Sequence, residues 1–535
     1  MDRRSFLGAA AAGATALGSG AAFMRWQEIA PTLHYPGMAE GHFLRDRRSL
    51  PAPREAIDTD IVIFGSGIAA LTAAWKLRKQ GHPGALMIDG PQPFGNAAGG
   101  RSGELAYPTG AHYLPLPGPE AAHVRELLAD LGIIKGGALE DKPYYDEAAL
   151  LHAPHERLLF NGSWHDAVIP AEGLGADELR EHQRFFAQVE QLRQARGADG
   201  RRMFAMPSAL SSGDPRFDEL DTLTFRGWLS RNGYRSPALL WYMDYCCRDD
   251  YGADAGKVSA WAGLHYFCSR TGQAANAGDG AWLTWPGGLQ PVASAMAQVS
   301  KARRMAGTVM SVRRTAGGIE ALCFTLENGA PRTFYVRARK AICAMPLHVA
   351  ARVVEGIGRL GFDVHRDMPV YAPWLVANFT MKDFPHELEG APLAWDNVVY
   401  GGRGLGYVVS THQDIRAAPP SRTVFTSYVA LNDRSPQDAR RWMQSATAGE
   451  IVELAAADLK AAYGWKFAAC VERADITLRG HAMAVPAPGF RANAGARALR
   501  EADGPILFAH GDLSGFSLFE EASWWGYRAA GLALA

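Results

Sequence analysis

The sequence predicts an α/β fold, a doubly wound parallel sheet with a discontinuous α+β domain inserted into it. Three observations carry that expectation. Asp60–Phe64 is a short β-branched run that stops at Gly65-Ser66-Gly67, and Ala69–Gln80 then reads as a helix with small residues along one face. After the turn His82-Pro83-Gly84, Ala85–Ile88 reads as a second buried strand closing at Asp89. Far away, Ile506–Asp512 repeats the strand pattern and Glu520–Ala530 the helix pattern, as if the tail rejoined the front.

Length and composition set the frame. A chain of 535 residues exceeds one simple core, so two domains are expected. Lys plus Arg equals Asp plus Glu at 55 each, which argues against a nucleic-acid partner. Six cysteines lack zinc or Cys-x-x-Cys spacing, so neither a metal site nor a disulfide framework is expected.

The start, Met1-Asp2-Arg3-Arg4-Ser5-Phe6-Leu7 and an Ala/Gly-rich run to Phe23, resembles a twin-arginine export signal. The resemblance implies passage of the folded protein through the twin-arginine translocase to the periplasm. The signal is either cut near Gly20-Ala21-Ala22 or kept as an anchor. Residues 1–24 are read as this signal, and 25–57, with four prolines, as an extended lead-in.

Segments 58–120, 282–350 and 500–535 are assigned to the doubly wound domain, and 121–281 with 351–499 to the second. Residues 120–280 read as mostly helical, for example Ala176–Arg196. Val309–Arg313, Ile319–Leu326 and Thr333–Arg337 read as strands, with hairpin turns at Gly317-Gly318 and Asn328-Gly329. Ala341–Ala344 reads as a further buried strand, 365–430 as a larger antiparallel sheet, and 435–463 as helical.

The glycine turn suits a dinucleotide. Gly65 permits the bend, Gly67 lets backbone approach a pyrophosphate, and Ala70 lets helix and strand pack closely. The helix start offers free N–H groups, and Asp89 can accept from ribose hydroxyls. With this turn, Gly99-Gly100-Arg101, Gly110-Ala111-His112-Tyr113, Trp285-Pro286-Gly287-Gly288, Val309 and the C-terminal strand and helix, the chain resembles the flavin-containing amine oxidase superfamily. That resemblance implies a glutathione-reductase-like domain binding FAD. Gly100 and Arg101 would lie on the loop beside pyrophosphate and flavin, Val309 would meet adenine, Asp512 would bind pyrophosphate or ribitol, and Ala522 would lie under the flavin. No cysteine stands at the family's covalent link, so the FAD is expected to be noncovalent.

The implied activity is amine oxidation by hydride transfer to flavin, with oxygen or a respiratory acceptor taking the electrons. His112 is the catalytic candidate, able to steer substrate or shuttle a proton. Leu518 stands where the family has a cage tyrosine; Phe516 or Phe519 are the aromatic substitutes, and Lys382 is the candidate for the family lysine. The alternatives are a desaturase or isomerase of an apolar substrate, and an FAD-bearing electron-transfer protein without turnover. The mixed stretch Trp241–Tyr251 reads first as a helix end with a solvated acidic turn and second as a site for a cationic amine.

Overall fold

A computed structural model describes residues 29–46, 50–327, 330–418 and 420–535. The signal at 1–24 and the turn at Asn328-Gly329 lie outside the described residues. Among those residues the strands form a seven-stranded and an eight-stranded sheet, with three two-stranded ribbons.

The seven-stranded sheet is the doubly wound unit. Its centre is Ala56–Phe64, paired in parallel with Leu86–Ile88 on one side and with Ala330–Cys343 on the other. Arg303–Met305 extends it beyond Leu86–Ile88, and Ile506–Phe508 lies parallel to the end of Ala330–Cys343. Val62, Ile63 and Phe64 are fully buried, as are Leu86, Met87 and Ile88. Strands covered on both faces show such unbroken apolar runs. The strand expected at Ala341–Ala344 is not separate: Ala330–Cys343 runs unbroken, pairing with Gly318–Glu327 at its start and with Ile506–Phe508 at its end.

The tail returns to the front. Helix α6, Phe519–Leu534, lies against helix α2, Ile68–Lys79. At Gly526 an added Cβ would sit 2.1 Å from the Ala69 carbonyl oxygen, so only glycine permits this approach. Thr72 donates to Ser523 at 3.2 Å and Lys76 to Tyr527 at 2.8 Å, fixing the pair along its length.

The eight-stranded sheet draws on Val370–Met381, Thr423–Ala430 and Val471–Val485 at its antiparallel centre. Two expectations change here. Residues 25–57 are not simply extended: Thr32–His34 joins this sheet in parallel beside Asp475–Thr477, and Met38–Arg45 forms helix α1. The stretch from 120 to 280 carries strands between the helix Ala122–Asp130 and the helix Ala176–Gln194, of which Glu156–Phe160 and Ser163–Asp166 join the same sheet through an Asn161-Gly162 turn. Their alternation was too short to separate from loop.

Candidate functional site

A cleft of about 940 Å³ runs between the two sheets. That is within the range of cofactor pockets, roughly 300–1,000 Å³. Gly65, Gly67, Asp89, Val309, Asp512 and Ala522 all line it, so the two distant ends of the chain meet there. Gly65 has φ +111°, and an added Cβ would fall 2.6 Å from the Ala344 carbonyl oxygen. Gly67 caps α2 without any side-chain hydrogen bond to the helix, and an added Cβ would meet open space. The first N–H groups of α2, which no preceding turn satisfies, therefore face the cleft unobstructed.

Two carboxylates flank this turn. Asp89 accepts from Arg304 Nε and Nη2, each at 2.9 Å, which fixes its orientation at the cleft edge. Asp512 is buried, and burial alone would raise its pKa. His510 beside it, Tyr371 donating at 2.5 Å and the Leu347 N–H donating at 2.9 Å hold it down at about 2. It is a fixed anion that shapes the wall.

The structure revises several assignments. Ala70 is fully buried and packs the helix, as its size suggested, without lining the cleft. Gly100 and Arg101 do not line it either. Gly100 packs under the Tyr107 ring, and Arg101 is exposed and donates to the Glu104 carbonyl at 2.8 Å. The glycine facing the Gly67 turn is Gly95, followed by Asn96 and Ala97. The chain carries glycines at both places, and their order alone cannot say which faces the turn. Lys382 is exposed just beyond the end of Val370–Met381 and does not line the cleft. Phe516 is buried against His265, 5.1 Å between ring centres, whereas Leu518 and Phe519 line the cleft.

His112 stands at a boundary. Its neighbour Ala111 lines the cleft, while His112 itself lines a second cavity, a chamber on the far side of the 110–113 loop. The loop is held by Tyr428 donating to the Gly110 carbonyl at 3.1 Å and Thr284 donating to the His112 carbonyl at 2.9 Å. The imidazole stacks on Tyr428 at 4.4 Å, and burial pushes its pKa down to about 3. It is neutral at physiological pH, a steering group and not a cation.

The chamber is aromatic and acidic. Tyr113, Tyr242, Tyr245, Tyr266, Trp282 and Trp395 form much of its wall. Among them stand Glu156, Asp249 and Asp396, none in an ion pair among the described residues. Burial, then the neighbouring Asp250 charge, raises Asp249 to about 7; Tyr113 donates to it at 3.4 Å. Burial, then Asp249 and Glu156, pushes Asp396 well above the usual carboxylate range. Asp250, one residue on, is occupied by Arg270 at 2.6 and 2.8 Å. The acidic end of helix α3, Pro237–Tyr251, is thus an interior feature and not a solvated turn. Glu156 and Asp396 went unrecognised in the sequence because they sit on short strands separated by 240 residues (396 − 156) that only the fold pairs. Such an arrangement attracts a cation: unpaired carboxylates supply charge and ring faces add cation–π attraction.

A family model for NAD(P)-binding Rossmann-like domains matches residues 63–131. No curated protein matched the sequence. Among solved structures, a putrescine oxidase bound to putrescine is similar at 16% identity and TM-score 0.62, over 89% of this chain and 99% of that one. Cyclohexylamine oxidase from Brevibacterium oxydans is similar at 18% identity and TM-score 0.60, over 89% and 99%. A fatty acid isomerase from P. acnes is similar at 15% identity and TM-score 0.59, over 88% and 97%. These likenesses establish the fold.

Proposed function

We propose that the protein is an exported FAD-dependent oxidoreductase that oxidises an amine. The chamber carries this reading: three carboxylates without ion-pair partners, set among aromatic rings, one loop away from a dinucleotide cleft. The cleft suits FAD, with an uncapped helix start for a diphosphate, Asp89 near a ribose position, and α6 closing the other end. No cysteine lines the cleft among the described residues, which supports noncovalent attachment. When bound, FAD supplies the hydride acceptor.

The residues of the chain do the rest. Asp249, the carboxyl that titrates near neutrality, draws an ammonium group inward, with Glu156 and Asp396 as further acceptors beside it. Asp249, titrating near neutrality, is suited to take the proton that must leave nitrogen before a carbon–hydrogen bond can give up hydride. Neutral His112 adds no repelling charge and positions the substrate through its ring and N–H. Export rests on Arg3-Arg4 and the apolar run that follows, and oxygen or a respiratory acceptor would reoxidise the flavin.

The purified protein is expected to be yellow and to bleach anaerobically with members of an amine panel. A colourless protein that cannot be reconstituted with FAD would sink the reading. A second reading, a desaturase or isomerase of an apolar substrate, draws on Leu518 in the cleft wall; bleaching or conversion only with unsaturated fatty acids would establish it instead.

A further inference from the structure

The cleft contains a charge asymmetry. A bound dinucleotide carries a dianionic diphosphate, yet the strands and loops around the glycine turn offer it no free cation among the described residues. Arg304 is engaged with Asp89, Arg101 lies outside, and Ala97 follows the Gly95 turn. Five arginines and no lysine line the cleft among the described residues: Arg45, Arg352, Arg440, Arg441 and Arg479. Arg45 pairs with Asp46 and Arg441 with Asp438, while Arg479 donates to the Thr109 carbonyl and to Gln92.

Arg479 lacks a carboxylate partner too, but these two hydrogen bonds hold it. Arg352 and Arg440 are less engaged: neither has a carboxylate partner among the described residues, and Arg440 makes one hydrogen bond, to the Gly480 carbonyl at 3.2 Å. They approach from helices α4, Leu347–Val353, and α5, Pro436–Ser445. Both guanidiniums bear on His481. Burial first, then Arg440 and Arg352, lowers its pKa to about 4. His481 stacks at 4.5 Å on His348, four residues from Ala344, whose carbonyl abuts the Gly65 turn. A continuous wall thus joins the glycine turn to the two least engaged of the cleft's positive charges.

We propose that Arg352 and Arg440, with the imidazole N–H groups of His348 and His481, form a cationic clamp that closes on the dinucleotide's diphosphate opposite the glycine turn. The clamp rests on the FAD reading above. It makes cofactor retention depend on both sheets, since α5 packs on the eight-stranded one. Guanidinium–phosphate hydrogen bonds suit this role because the planar guanidinium fork presents paired N–H donors at the spacing of two phosphate oxygens.

The test is titration of apoprotein with FAD, followed by flavin fluorescence, for wild type, Arg352→Gln, Arg440→Gln and the double variant. Arg434→Gln, just before the same helix and outside the cleft lining, is the control. Each single variant should weaken FAD about tenfold and the double about a hundredfold, with Arg434→Gln unchanged. Riboflavin, which lacks the diphosphate, should bind all of them alike. The dependence of FAD affinity on salt should flatten in the double variant, because fewer charges remain to be screened. Arg352 is exposed, so its variant reports on the clamp even if Arg440→Gln disturbs packing. Wild type and variants binding FAD equally would overturn the clamp while leaving the cofactor assignment intact. Wild type failing to bind FAD would overturn both. Inorganic pyrophosphate binding to the FAD-loaded wild type, and lost in the double variant, would assign the arginines to a second anion and also overturn it.

Discussion

The dinucleotide cleft and the chamber beyond His112 are built from opposite materials. The cleft's recognition surface is mostly backbone: a glycine bend, a helix start without a side-chain cap, and two carboxylates fixed by their own partners. The chamber's surface is mostly side chain, with rings and acids delivered from separate parts of the chain. Backbone sites tolerate little change at few positions. Side-chain sites can be retuned one residue at a time without disturbing the fold. On the proposed function, the difference separates what sets cofactor specificity from what sets substrate specificity.

The largest effect should come from Gly65→Val. The substitution meets the Ala344 carbonyl and forces a branched side chain to φ +111°. Strain of about 3 kcal/mol, added to the clash with that carbonyl, would weaken FAD by more than about a hundredfold. Reconstitution of apoprotein measures it, and a tightly yellow variant would break the contrast.

Asp249→Asn should come next. Removing one buried carboxylate should lower kcat/KM for a cationic amine by about a hundredfold, roughly 3 kcal/mol, and leave FAD affinity unchanged. Equal losses in both quantities would show that the two sites are not separable.

The pH dependence is smaller and has a defined sign. Asp249 is raised to about 7, so it is mostly protonated at pH 6 and ionised at pH 8. A cationic amine should therefore bind tighter as pH rises through 7, by about tenfold, and Asp249→Asn should flatten that rise. Stability moves the other way. Between about pH 4 and 7 the folded protein holds a proton that an ordinary carboxyl near 3.9 has released, so substrate-free protein should lose stability as pH rises across that window. Melting temperatures against pH for wild type and Asp249→Asn measure this. No inflection from His112 is expected near 6.5, since its ring is already neutral there.

The smallest effect should be Arg101→Ala, within about twofold on FAD affinity and about 0.5 kcal/mol on stability, because the side chain lies on the surface. A larger loss would return that loop to the cofactor.

The same contrast explains what the sequence could reveal. Gly65, Gly67, Asp89 and the tail helix were legible because strand, bend and helix follow one another within a few dozen residues, each with its own periodicity. The register of the next loop was not: Gly95 and Gly99-Gly100 are equally plausible neighbours for a phosphate turn, and only the packed distance to Gly67 separates them. Glu156 and Asp396 were illegible for a different reason. Each is unremarkable on its own strand, and the pairing of Asp396 with Glu156 comes from a parallel register across the second sheet. The Trp241–Tyr251 stretch was visible, but charge runs are usually solvated; here Arg270 and the surrounding rings draw it inside.

The short strand Thr32–His34 has a consequence for biogenesis. Its hydrogen-bonded neighbour is Asp475–Thr477, so the edge of the second sheet cannot close until residue 475 has left the ribosome. Helix α1, which follows that strand, walls the cofactor mouth and must wait with it. A nascent chain stalled before residue 471 would keep its front segment loose and its cofactor door open, so sensitivity to protease near residues 32–45 should report whether synthesis was finished.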